Sequence, residues 1–154
     1  MFAHFQDIAD DHTSGATEII HRLLAVCESC LMVEAFDAFS PGFELLEESQ
    51  RSMPSFHAML HILKADFLPI VTESGDNSEA IGFLASLKMI LDESGAEISR
   101  EFAAMFRTPV RAMTLSRSGT VIGALRSLAV ARLLDRLTVL GHVVGGVLRH
   151  SRRQ

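Results

Sequence analysis

The sequence predicts a mainly α protein, an antiparallel helical bundle followed by a short βα step. Apolar residues recur at three-to-four spacing through most of the first 106 positions, the period of amphipathic helices. Polar, glycine- and proline-containing breaks at 11–15, 40–42, 72–78 and 108–109 divide that pattern into bundle-length pieces. After the last break a short apolar run, 110–115, meets a small polar turn and then a new helical pattern.

The elements follow in order. Residues 2–10 form a short helix with Phe2, Phe5, Ile8 and Ala9 on one face. Asp11, Thr13, Ser14 and Gly15 end it, and Thr13 or Ser14 is placed to cap the next helix. That helix runs over 16–38 through Ile19, Ile20, Leu23, Leu24, Cys27, Leu31 and Val33, and Ser40-Pro41-Gly42 ends it. A third helix begins at 43–51, and Pro54 marks a boundary because proline suits a first helical turn and not an interior. Residues 55–68 continue with Phe56, Met59, Leu60, Leu63 and Phe67, with Pro69 at the end. Asn77 or Ser78 caps a long helix over about 79–106, bent at Ser94-Gly95 and stopped by Thr108-Pro109. A strand over 110–115, a turn and a helix over 119–135 complete the pattern. A single parallel strand needs a partner, and 137–140 is the stretch with room for one.

The chain of 154 residues is long enough for a real core, and 48% hydrophobic with 21% charged residues excludes disorder. It holds no Trp or Tyr, so the core rests on aliphatic residues, Met and ten Phe. The first residues lack the basic and apolar regions of a signal peptide, and the longest apolar stretch, 137–148, falls short of the about twenty residues of a membrane span. These features predict a soluble, cytoplasmic protein with no membrane partner.

The net charge of −5 conceals an asymmetry. Residues 1–99 carry 4 Lys/Arg against 17 Asp/Glu, and residues 100–154 carry 10 Arg against Glu101 and Asp135. Three readings follow: the halves neutralise each other within a chain or across a dimer, the arginines meet a small phosphate, or they meet RNA. Only Phe102 and Phe106 supply aromatics after residue 100, which argues against a base-stacking nucleic-acid surface.

Residues that could carry chemistry are few. Cys27 and Cys30 form C-x-x-C inside a helical run, not at the strand-to-helix junction of a redox motif, and no second pair completes a zinc site. His57 and His61 stand at i, i+4 but lack the Glu of H-E-x-x-H and an evident third ligand. No cofactor, metal site or catalytic residue is expected. The turn at 116–120 is different, because a strand, a tight turn of small residues and a helix N-terminus form the layout that holds anions on free backbone N–H groups. Ser116, Arg117, Ser118, Gly119 and Thr120 are the candidate phosphate contacts there, joined by Arg111.

The same turn carries a resemblance. Thr114–Val121, T-L-S-R-S-G-T-V, resembles the T-H-S-x-S-x-T-V segment of the eukaryotic translation initiation factor 2B alpha/beta/delta family, which includes the ribose-1,5-bisphosphate and methylthioribose-1-phosphate isomerases. Two upstream segments agree in order. Residues 11–19, D-H-T-S-G-A-T-E-I, resemble D-x-x-S-G-A-x-E-I, and residues 53–60, M-P-S-F-H-A-M-L, resemble R-P-S-M-A-x-L. The resemblance covers about residues 5–140. It implies a helical N-terminal domain over 1–109, the first βα unit of a Rossmann-like domain over 110–140, truncated there, and an atypical basic tail over 141–154. A natural truncation with a new tail and a frame change near codon 140 both account for that tail.

The resemblance further implies a ligand cleft between the two domains, which adds Ser14, Gly15 and Ala16 to the candidate phosphate contacts. In the isomerases a Cys in the late turn and an Asp of the later sheet domain move the proton. Here Ser116 stands in place of that Cys, Ser14 and Met53 stand in place of two arginines, and the Asp would lie beyond residue 154. The implied function is that of a non-catalytic, regulatory or interaction module, partnered by a second copy or a related subunit and by a phosphorylated small molecule. Two alternatives stand beside it: half of a sugar-phosphate aldose-ketose isomerase, and an RNA-binding module acting through the Arg-rich half.

Overall fold

A computed structural model describes residues 2–73, 77–114 and 118–140. It is mainly helical, with a small parallel sheet after the helices. Helix α1 spans Phe2–Ala9 and α2 spans Ala16–Met32. A 3-10 turn, Phe36–Ala38, leads into α3, Phe39–Ser49. Helix α4, Pro54–Ile62, passes through a π turn, Leu63–Phe67, into α5, Leu68–Glu73. The long α6, Asn77–Ala104, precedes β1 (Val110–Thr114), α7 (Gly119–Val130) and β2 (Leu134–Val139).

The core lies among α1 to α5 and the first half of α6. An aromatic chain threads it. Phe5 meets Phe43 edge-on with centroids 6.0 Å apart, Phe43 packs on Phe39 at 5.8 Å, Phe39 meets Phe67 edge-on at 5.2 Å, and Phe67 stacks on Phe83 at 6.3 Å. These geometries suit the ring quadrupoles and add to the gain from burial. Beyond Leu84 the buried apolar side chains among the described residues are Ala124 and Leu128.

Several boundaries differ from the sequence expectation. Helix α2 ends at Met32, not near residue 38, because Glu34 turns into the left-handed region (φ 57°) and the Ala35 N–H donates back to the Cys30 carbonyl at 2.9 Å. Ser40-Pro41-Gly42 opens α3 instead of ending α2. Pro41 sits in the first helical turn, where its missing N–H leaves no bond unmade. Gly42 belongs there for space, since a Cβ on it would lie 2.7 Å from the Phe5 ring. Pro69 lies inside α5, not at a helix end. The wider π turn directly before it relieves the clash that its ring would make with the carbonyl four residues back.

The side-chain cap expected from Thr13 or Ser14 does not form, since Gly15 is the N-cap of α2 and no side chain bonds to the first turn. The Asp11 carboxylate accepts instead from the backbone N–H groups of Thr13 and Ser14, both at 2.9 Å, and pairs with Arg22. Those hydrogen bonds hold the Asp11 carboxyl far below the usual carboxylate range. The C-terminal carbonyls of α1 are closed by one buried side chain. The Gln50 amide donates to Ile8 (2.9 Å), Ala9 (3.3 Å) and Asp11 (3.0 Å).

The expected strand at 137–140 forms earlier, over 134–139, because α7 stops at Val130 and Arg132 takes a left-handed conformation (φ 58°). The expected βα step is thus a βαβ unit, with β2 parallel to β1. The register skips Asp135 between the pairs Val110↔Leu134 and Arg111↔Arg136, a bulge that frees the Asp135 carboxylate to reach Arg111 Nε at 3.1 Å. Helix α7 packs on α6 and on α2, so the βαβ unit is joined to the bundle.

Candidate functional site

Helices α2, α6 and α7 border an open groove of about 570 Å³. Thr17 enters it from the first turn of α2, and Gly119 and Thr120 enter from the first turn of α7. The two helix starts touch, since a Cβ on Gly119 would lie 3.7 Å from the Thr17 Cβ. Segments a hundred residues apart in sequence therefore share one wall. Helix N-termini carry unpaired backbone N–H groups and partial positive charge, which favours an anion between them.

The floor of the groove is the α6–α7 crossing. Ser99 is buried and donates to the Gly95 carbonyl at 2.8 Å, and a Cβ on Gly123 would meet the Ser99 hydroxyl at 2.8 Å. Small residues on both helices thus bring the backbones together. The charged rim consists of His21, whose Nε2 lies 3.5 Å from Asp92 Oδ1, and of Arg126. Arg126 has no carboxylate partner among the described residues and stands two turns after Gly119 on the groove face of α7.

The structure brings part of the sequence-predicted set to this groove. Gly119 and Thr120 line it. Ser118 is the N-cap of α7, and its carbonyl accepts from the Ile122 N–H at 3.0 Å. Gly15 is the N-cap of α2 in an extended conformation (φ −76°, ψ 159°), and Ala16 is the first residue of that helix. The Ser14 N–H is taken by Asp11. Arg111 is not brought to the groove, because it stands exposed on β1 in its ion pair with Asp135. Ser116 and Arg117 lie outside the described residues.

Sequence reasoning missed His21, Asp92, Ser99, Gly123 and Arg126. Gly123 left a signal: a glycine inside an apolar helical pattern marks a close backbone approach, and Arg126 shares its face. His21 and Asp92 left none, since their proximity depends on how α2 and α6 cross.

Other sequence candidates resolve simply. Cys27 and Cys30 are free and buried, and burial pushes both thiols up, Cys27 beyond any physiological titration. His57 Nε2 donates to the Gln50 carbonyl at 3.0 Å, while His61 is exposed. Among the described residues no three His, Cys, Asp or Glu side chains could hold a metal ion, and no helix is long and apolar enough to cross a membrane. A larger cleft of about 670 Å³ between β1, α7 and the end of α6 is apolar, lined by Ile98, Phe102, Phe106 and Leu128 among others.

The charge halves do not neutralise each other within the described residues in the simple way the sequence allowed. Arg100 pairs with Glu97 and Glu101, and Arg111 pairs with Asp135, all local. Arg107, Arg126, Arg132 and Arg136 have no carboxylate partner among the described residues.

Compared with protein-family models, with curated proteins and with solved structures, the chain matches none.

Proposed function

We propose that this chain is a non-catalytic, initiation factor 2B-like regulatory or interaction module that binds a phosphorylated small molecule in the groove between α2, α6 and α7. One observation carries the reading. The starts of α2 and α7, which hold two of the three resemblance segments, meet at Thr17 and Gly119 on the wall of one groove. Helix N-termini give that wall its affinity for an anion, and Arg126 supplies a cation with no ion-pair partner among the described residues, while the groove's Asp92 faces His21. The non-catalytic character rests on the residue types. Ser116 replaces the thiol of the isomerases, and a serine hydroxyl is far less acidic than a thiol.

Thermal unfolding in the presence of ribose phosphates tests the proposal. A ligand at about a hundred times its Kd stabilises the folded state by about 2.7 kcal/mol, a rise of several degrees for a chain of this size. Arg126→Ala is expected to retain the unliganded melting temperature and to lose most of the rise. An unchanged melting temperature for the native chain in millimolar ribose phosphates would falsify the assignment.

A further inference from the structure

We propose that a second copy of this chain docks its α6 onto the uncovered face of the sheet. Alternation along the strands places Ala112, Thr114, Leu137 and Val139 on the face that α7 covers. The opposite face presents Arg111 and Met113 of β1 beside their register partners Arg136 and Thr138 of β2. All four are exposed, Met113 at 70%. Two arginines directly across a strand pair repel each other. Asp135 offsets one of them, and Arg136 has no carboxylate partner among the described residues. The face is therefore a basic surface around an apolar centre, and it calls for an acidic, partly apolar partner.

This chain carries such a partner. On α6, Met89, Ile90, Glu93 and Glu97 fall on one stripe at helical spacing. Met89 is 54% and Ile90 55% exposed, and both carboxylates are exposed, Glu93 with no cation beside it among the described residues. Met89 and Ile90 would meet Met113, and Glu93 and Glu97 would meet Arg111 and Arg136. The segment 141–154 brings Arg149, Arg152 and Arg153 and no Asp or Glu, so it supplies no neutralising side chain for this face. Charge complementarity thus favours the acidic half of a second copy, and it gives Arg136 the counter-charge that it lacks among the described residues.

The inference rests on the reading of the chain as an interaction module, and it does not depend on the phosphate groove. Light scattering on the full chain at tens of micromolar, from about 0.05 to 0.5 M salt, provides the test, because exposed charge pairs weaken as the Debye length shrinks. The expected species at low salt has twice the 16.9 kDa mass of one chain and dissociates at high salt. Glu93→Arg and Arg136→Glu each raise the dissociation constant by about tenfold or more, with unchanged circular dichroism. An equimolar mixture of the two variants restores the dimer, because each reversed surface then meets its complement. A monomer at every salt concentration, a dimer indifferent to salt, or a mixture that stays monomeric overturns the proposal. Arg136→Glu retains the rise in melting temperature with ribose phosphate, so loss of that rise in the native chain and loss of the dimer are separate results.

Discussion

Gln50 and Asp11 show how much of the fold hangs on single polar groups. The Gln50 amide closes the end of α1 from forty residues away, and nothing in its local sequence marks it. Gln50→Leu removes the donor that the Ile8, Ala9 and Asp11 carbonyls share, leaving Ile8 only the Asp11 N–H, and is expected to lower stability by about 2 kcal/mol in a denaturant titration. Asp11 acts through its charge. Its carboxyl is held low in the folded chain by the N–H groups of Ser14 and Thr13, so its contribution is complete above the unfolded value of about 3.9 and declines as pH falls through the folded value. Asp11→Asn is expected to flatten the acid side of the stability–pH curve below about pH 4 relative to the native chain. Both residues belong to a junction where one sequence signal was read correctly and another was not. The polar cluster at 11–15 announced the break between α1 and α2, but not its chemistry: α2 starts at Gly15 without a side-chain cap, and the Asp11 carboxylate closes the turn ahead of it through Thr13, Ser14 and Arg22.

Glycines separate the helices that pack from those that merely carry them. Gly42→Ala drives a methyl into the Phe5 ring and is expected to cost about 1–3 kcal/mol despite the gain in helix propensity. Gly82→Ala, on the exposed face of α6 with open space around it, is expected to stabilise the chain by about 1 kcal/mol. The two melting curves should move in opposite directions, and movement in the same direction would count against the packing described. Helix positions were legible because amphipathic spacing is strong in α1, α2 and α3. Helix ends were less so. The stop of α2 uses Glu34 in a conformation usually left to glycine, and Pro69 sits inside a helical run that its presence seemed to end. In each case tertiary packing, or the π turn, outweighs the local preference. The groove was half legible for a related reason. Small residues in Ser14-Gly15-Ala16 and Ser118-Gly119-Thr120 are visible in a linear reading, whereas His21, Asp92 and Arg126 join them only through the crossing of three helices.

Across the whole molecule, burial is uneven. The main core is complete by Leu84, and the βαβ unit contributes Ala124 and Leu128 among the described buried apolar residues. Amides of α2 and of α3 are therefore expected to exchange at the slow, global limit, and those of β1 and β2 earlier, by local opening. Equal protection in both regions would contradict this picture. The same unevenness explains why the bundle was easier to read than the sheet: a deep core imposes a regular apolar period, while a thinly covered sheet leaves only a short one.

The position of that core along the chain sets an order in time. Synthesis proceeds from the N-terminus, so nearly every side chain of the main core has been made before the first residue of β1. The bundle can close on itself as a nascent chain, and α7 then settles onto a stretch of α6 that is already in place. Residues 1–109 alone, released from the ribosome, are accordingly expected to resist protease.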